Sequence, residues 1–102
     1  MRQLFDGQAI DGTSTRMAWI GGPGTAKISG TWDGATVTLV GAETGGTLIS
    51  LGSDAVLTAD GIVNFSLYPK QGEGTMDVAF VMSSAGASTV IDAFIGEDRL
   101  RV

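Results

Sequence analysis

Eleven carboxylates and six cations carry all the side-chain charge in this 102-residue sequence, which has neither histidine nor cysteine. Without histidine, the commonest metal ligand and the one side chain that titrates near neutrality are missing. Without cysteine there is no thiol nucleophile, disulfide or thiolate metal site, which fits synthesis in a reducing compartment. General acid–base work would fall to Asp6, Asp11, Asp33, Glu43, Asp54, Asp60, Glu73, Asp77, Asp92, Glu97 and Asp98, with Lys27, Lys70 and Tyr68 beside them. Four of the acids, Asp6, Asp11, Asp33 and Asp60, directly precede glycine. An Asp-Gly pair is first of all a turn, in which the short carboxylate bonds the local backbone and glycine takes positive φ. Two carboxylates on distant strands could serve a glycosidase, but 102 residues leave little room for its cleft. The expectation is a protein that is not an enzyme.

Calcium is the one metal whose oxygen-only coordination suits this inventory. Asp6-Gly7, Asp11-Gly12 and the adjacent Glu97 and Asp98 lack the spacing of a calcium loop, so they read as solvated turn acids. No metal, cofactor or catalytic residue is expected. Gly21-Gly22-Pro23-Gly24 lacks the lysine and the following helix of a phosphate loop, and reads as a connection between strands. Trp19, Trp32 and Tyr68 have the chemistry of a stacking platform for a sugar or base. Trp19 and Trp32 fall on apolar strand faces, where core is the simpler reading, which leaves Tyr68, beside Pro69, as the exposed aromatic.

The net charge of -5 and the dispersed cations Arg2, Arg16, Lys27 and Lys70 argue against nucleic acid as a partner. Arg99 and Arg101 are close together, but Glu97 and Asp98 precede them. No run approaches the roughly 20 apolar residues of a membrane span. Met1 to Asp11 has no apolar run, so it does not read as a signal peptide.

Short alternating apolar–polar runs separated by glycine-centred turns predict antiparallel strands, and no window has the period of an amphipathic helix. Strands are expected over 13–20, 25–32, 35–40, 47–51, 55–57, 62–68, 75–82 and 89–95. Asp33-Gly34 and Asp60-Gly61 suit two-residue hairpin turns. The result is an all-β fold, an antiparallel two-sheet β-sandwich of about eight strands, for which a jelly roll is one fitting arrangement. Residues 1–102 read as one domain. Residues 1–12 are too short and broken for a confident strand, and read equally as an N-terminal arm that orders on a neighbour or as a frayed terminus. Trp19, Ile28, Trp32, Val37, Leu39, Leu48, Val63, Phe65, Leu67, Val78 and Phe80 form the expected core.

Two features suggest a domain built to be covered. Only 17% of residues are charged, against about 25% in an average domain, and mean hydropathy is +0.25. The last strand is apolar at Val90, Ile91, Ala93, Phe94 and Ile95, interrupted by Asp92. Such a strand is central beneath a loop or covered by another subunit. Asp92 is expected at an edge or satisfied by a hydrogen bond, since a lone buried carboxylate is costly.

The run Ile28-Ser29-Gly30-Thr31-Trp32-Asp33-Gly34-Ala35-Thr36-Val37-Thr38-Leu39, the turn Gly45-Gly46-Thr47, and Leu57-Thr58-Ala59-Asp60-Gly61 with Val63-Asn64-Phe65-Ser66-Leu67 resemble small virion proteins encoded among the head genes of tailed bacteriophages. Ala85-Gly86-Ala87-Ser88-Thr89 also suits that pattern. The resemblance implies a capsid decoration, or cement, protein: a β-rich homo-oligomer, often a trimer, on the outer capsid surface of the virion, assembled in the host cytoplasm. Its implied partner is the major capsid protein, with no nucleic acid, membrane or cofactor. The candidate interface residues are Leu4 and Phe5 on the arm, Tyr68, then Ile91, Phe94 and Ile95 on the last strand, with Arg99 and Arg101 beyond it. The alternative is a tail, fibre or head-fibre module binding host-surface glycans, with a cellular carbohydrate-binding or adhesion sandwich behind it.

Overall fold

Period-two alternation carries through to ten strands in the computed structural model, which describes residues 1–72 and 74–98. They are β1 (Arg2–Gln8), β2 (Gly12–Thr13), β3 (Met17–Trp19), β4 (Gly22–Thr31), β5 (Thr36–Glu43), β6 (Ile49–Ser50), β7 (Val56–Leu57), β8 (Gly61–Leu67), β9 (Met76–Ser83) and β10 (Val90–Glu97). A 3-10 turn, Ser53–Ala55, precedes β7. One sheet has the order β1-β10-β4-β8; the other has β2-β9-β5-β6, with β3 also on β9 and β7 also on β5. Every pairing is antiparallel.

Because β5 occupies one side of β9, β2 and β3 share the other and act as one interrupted edge strand. By the same logic β6 and β7 form one interrupted edge along β5. Eight effective strands thus fill two four-stranded layers. Six of their seven connections cross between layers, and only β5 to β6 stays within one. That order and connectivity is a jelly roll. The shortest dimension, 22 Å, is what two sheets about 10 Å apart with outer side chains occupy.

The inner faces meet as the alternation predicts. Val37 and Leu39 of β5 face the same interior as Val78, Phe80 and Met82 of β9, opposite Ala26 and Ile28 of β4 and Ile91, Ala93 and Ile95 of β10. Phe5 packs on Phe80 with ring centroids 5.9 Å apart, and Trp19 on Phe65 at 5.0 Å. The indole of Trp19 lies so close over Gly24 that a Cβ there would overlap the ring, and would also meet Phe65 Cζ at 2.7 Å. Glycine is therefore a packing requirement at this position.

Several expectations need correction. Asp33 and Gly34 have the positive φ values, 44° and 84°, of the expected turn, and the Ala35 amide donates to the Trp32 carbonyl at 2.8 Å. The turn is not a hairpin, however. Thr31 already pairs with Val90 and Thr36 with Ser83, so the flanking strands belong to different sheets. Asp60-Gly61 likewise joins β7 of one sheet to β8 of the other. Turn chemistry fixed the bend, while burial of both flanks against other strands fixed where the chain went next.

The N-terminal segment is a strand after all. β1 forms the sheet edge along β10 with register shifts on both sides of Phe5, and those irregularities broke the alternation in the sequence. Residues 13–20 divide into β2 and β3, and β4 begins earlier than expected, at Gly22, taking Pro23 into the strand opposite Ser66. Leu48 is half-buried outside the core, since residues 47 and 48 precede the two-residue β6. β10 proves central, with Ile91, Ala93 and Ile95 inward and Val90, Asp92 and Phe94 outward.

Overpacking a close-packed interior costs about 1–3 kcal/mol. Gly24→Ala is expected to lower the unfolding free energy by that amount in urea titrations. Gly74→Ala, where nothing lies within 4 Å of the added Cβ, should change it by less than about 0.5 kcal/mol.

Candidate interaction surface

Five of the eight aspartates are engaged with backbone. Asp92 Oδ1 accepts the Gly7 amide at 2.8 Å and Gln3 Nε2 at 3.4 Å. Asp60 Oδ1 accepts the Gly30 amide at 3.0 Å and the Trp32 indole N–H at 2.7 Å. Asp33 Oδ2 accepts the Ser88 amide and Asp11 Oδ1 the Ala85 amide, each at 2.8 Å. Asp77 Oδ2 accepts the Gly45 amide and Arg16 Nη1, each at 3.1 Å. The backbone donors among these partners lie 30 to 85 residues away. The expectation that Asp11, Asp33 and Asp60 bond their own turns is therefore corrected: Asp11 and Asp33 reach the distant β9–β10 loop, and Asp60 reaches the end of β4. Asp92 is satisfied by hydrogen bonds, as anticipated.

Three of these bonds gather at one end of the sandwich, where the loops after β1, β4, β7 and β9 meet. There Thr89, buried, donates its hydroxyl to the Trp32 carbonyl and accepts the Gly86 amide, both at 2.8 Å. At the other end Lys70 bridges to Glu43 at 2.8 Å. Among the described residues no group of three or more acids is placed to hold a metal, and no buried side-chain nitrogen or oxygen lacks a partner. A cleft of about 720 Å³ brings Arg2, Thr25, Glu97 and Asp98 beside Met1, Met17 and Ile95.

The aromatic platform separates. Trp19 is buried, its indole N–H donating to the Gly22 carbonyl at 3.3 Å. Trp32 is half-buried and tied to Asp60, whereas Tyr68 is 67% exposed.

The expected interface residues divide in the same way. Phe5, Ile91 and Ile95 point into the core, each at 1% exposure or less, so their side chains cannot meet a partner. Here the apolar last strand is explained by its central place in the sheet. Leu4 and Phe94 are half-buried, and Arg99 and Arg101 lie outside the described residues. The sequence reading missed the exposed Ile10, Ile20, Ile49 and Ile62. Ile62 was legible from its alternation against Val63 and Phe65, which puts it on the outer face.

Cross-strand partners share a face, so register gives the makeup of each outer surface. The outward rows of the sheet containing β5 and β9 are Thr13-Val81-Thr38-Val56, Ala79-Val40-Ser50 and Ala18-Asp77-Ala42, in which Val40, Ala42 and Ala79 are buried. Asp77, paired with Arg16, is the only charge in these rows. The opposite sheet presents Lys27, Asp92, Asn64 and Gln3 alongside Phe94 and Ile62. Comparison with protein-family models, curated proteins and solved structures found no match.

Removing an acceptor from a pair of donors costs about 1 kcal/mol where water can partly replace it. Asp60→Ala should lower stability by that amount in chemical unfolding, with Asp60→Asn intermediate because its amide oxygen still accepts. Asp54→Ala, which removes no such contact, is expected to stay within about 0.5 kcal/mol of the parent.

Proposed function

We propose that this chain is a capsid decoration subunit of a tailed-bacteriophage virion, acting by covering and bridging capsid subunits. The observation that carries this reading is the outer face of the β5–β9 sheet. Its accessible part, Thr13, Ala18, Thr38, Ser50, Val56 and Val81 around the buried Val40, Ala42 and Ala79, carries one charge, itself paired, on a chain of net charge -5. A surface of this kind loses little by desolvation when a partner covers it. Val56, 41% exposed on β7 beside β5, adds apolar area of the sort that marks association sites.

The engaged aspartates support the same reading, because they leave the loops few free carboxylates for chemistry. Jelly rolls serve viral capsid and lectin domains alike, so the fold alone does not choose. Glycan binding by a fibre module has less support: of the three aromatics, Tyr68 alone is both exposed and unencumbered by a hydrogen bond to its ring heteroatom. A cement subunit stabilises by mass action, adding binding free energy to the assembled shell.

The test is co-sedimentation with intact capsids of the virus whose genome encodes the chain. Saturation at a copy number set by capsid symmetry, with a raised temperature of capsid disruption, is expected. Val56→Asp and Val81→Lys on this face, the first 41% exposed and the second half-buried, should abolish both effects while leaving the far-UV circular dichroism unchanged. Failure of the parent protein to bind such capsids would contradict the proposal.

A further inference from the structure

Three of the four sheet edges are blunted. β1 is irregular, with two register shifts, and carries Arg2 and Asp6. The β2–β3 edge is interrupted by residues 14–16, and the β6–β7 edge by the 3-10 turn. Bulges, charges and interruptions of this kind keep edges from pairing with other chains.

β8 has none of them. It is seven residues long, Gly-Ile-Val-Asn-Phe-Ser-Leu, without charge or proline. It pairs with β4 in unbroken register from Gly61 to Leu67, and ends its sheet on the other side. Its free side therefore offers a regular row of backbone donors and acceptors, the template for an added strand.

We infer that β8 is a self-association edge, at which two copies of this chain pair β8 antiparallel about a twofold axis and join their four-stranded sheets into one of eight. Three observations favour a second copy as the occupant. An antiparallel strand edge is self-complementary about a twofold axis, as an isologous contact requires. Copies of net charge -5 meet most readily along an edge that carries no charge. The side chains are complementary in size too: with the axis at Asn64, the middle residue, the large Ile62 of each copy falls opposite the small Ser66 of the other. Ile62 and Tyr68, at 63% and 67% exposure, are among the large side chains this contact would cover. The threefold assembly implied by resemblance would instead bring two different patches together. This inference does not rest on the virion reading, because it concerns the purified chain alone.

Sedimentation velocity of the full chain over a concentration series tests it. The parent protein is expected at twice the chain mass. Asn64 is exposed and its one side-chain contact is the Thr25 hydroxyl it accepts at 3.0 Å, so Asn64→Lys and Asn64→Asp should keep the parent circular dichroism. Each places like charges directly opposite one another, and should weaken the dimer about fivefold or more. An equimolar mixture of the two, which opposes lysine to aspartate, should restore the dimer. A monomeric or trimeric parent would overturn the inference, as would single variants that associate like the parent or a mixture no tighter than its components. No capsid is present, so a failed capsid assay and a failed dimer assay remain distinct results.

Discussion

Six of seven connections in this fold leave one sheet for the other, and each crossing takes backbone amides away from the strand ladders that would satisfy them. In a chain of this size there is too little interior to absorb that cost. Aspartate carboxylates answer part of it: Asp11 and Asp33 accept the Ala85 and Ser88 amides of the β9–β10 crossing, while Asp60, Asp77 and Asp92 accept amides of β4, the β5–β6 loop and β1. Charge-assisted bonds of this type are stronger than neutral ones. They hold the corners in place, and the corners hold the two sheets in register around Trp19, Phe80 and Ile28.

Seen this way, the acidity of the chain is architectural. Sequence inspection treats eleven acids as a reservoir of possible chemistry, yet five of the eight aspartates serve as backbone acceptors. What remains for interaction is surface that carries little charge: the flat outer face built by β5 and β9, and the regular edge of β8. The first would suit a broad partner, the second a strand. They lie on different sheets, so both can be occupied at once, which is the arrangement a bridging subunit needs.

Much of the fold was legible in local pattern. Val63, Phe65 and Leu67 alternate inward, as do Met76, Val78, Phe80 and Met82, and the period-two rule finds both strands. Asp33-Gly34 announces a turn for reasons internal to two residues. Local pattern does not say which strand comes next beside which. The hairpin expected at Asp33 became a crossing because Thr31 and Thr36 already had partners in β10 and β9, more than 40 residues further along the chain. The irregular register of β1 hid a strand, and the interface expected at Phe5, Ile91 and Ile95 became core because a central strand and a covered strand look alike in sequence. The carboxylate acceptors were invisible for the same reason: their partners are far away in sequence.

Amide hydrogen exchange at single-residue resolution tests the stapled corners most directly. The amides of Gly7, Gly45, Ala85 and Ser88 are predicted to exchange well below the rates of the loop glycines Gly72 and Gly74. Each should lose that protection on replacing its own acceptor, Asp92, Asp77, Asp11 or Asp33, with alanine, while the β9 and β10 amides remain protected. Exchange at loop rates in the parent protein, or protection that survives loss of the acceptor, would contradict the view that aspartate carboxylates secure the β9–β10 crossing, the β5–β6 loop and the β1 edge.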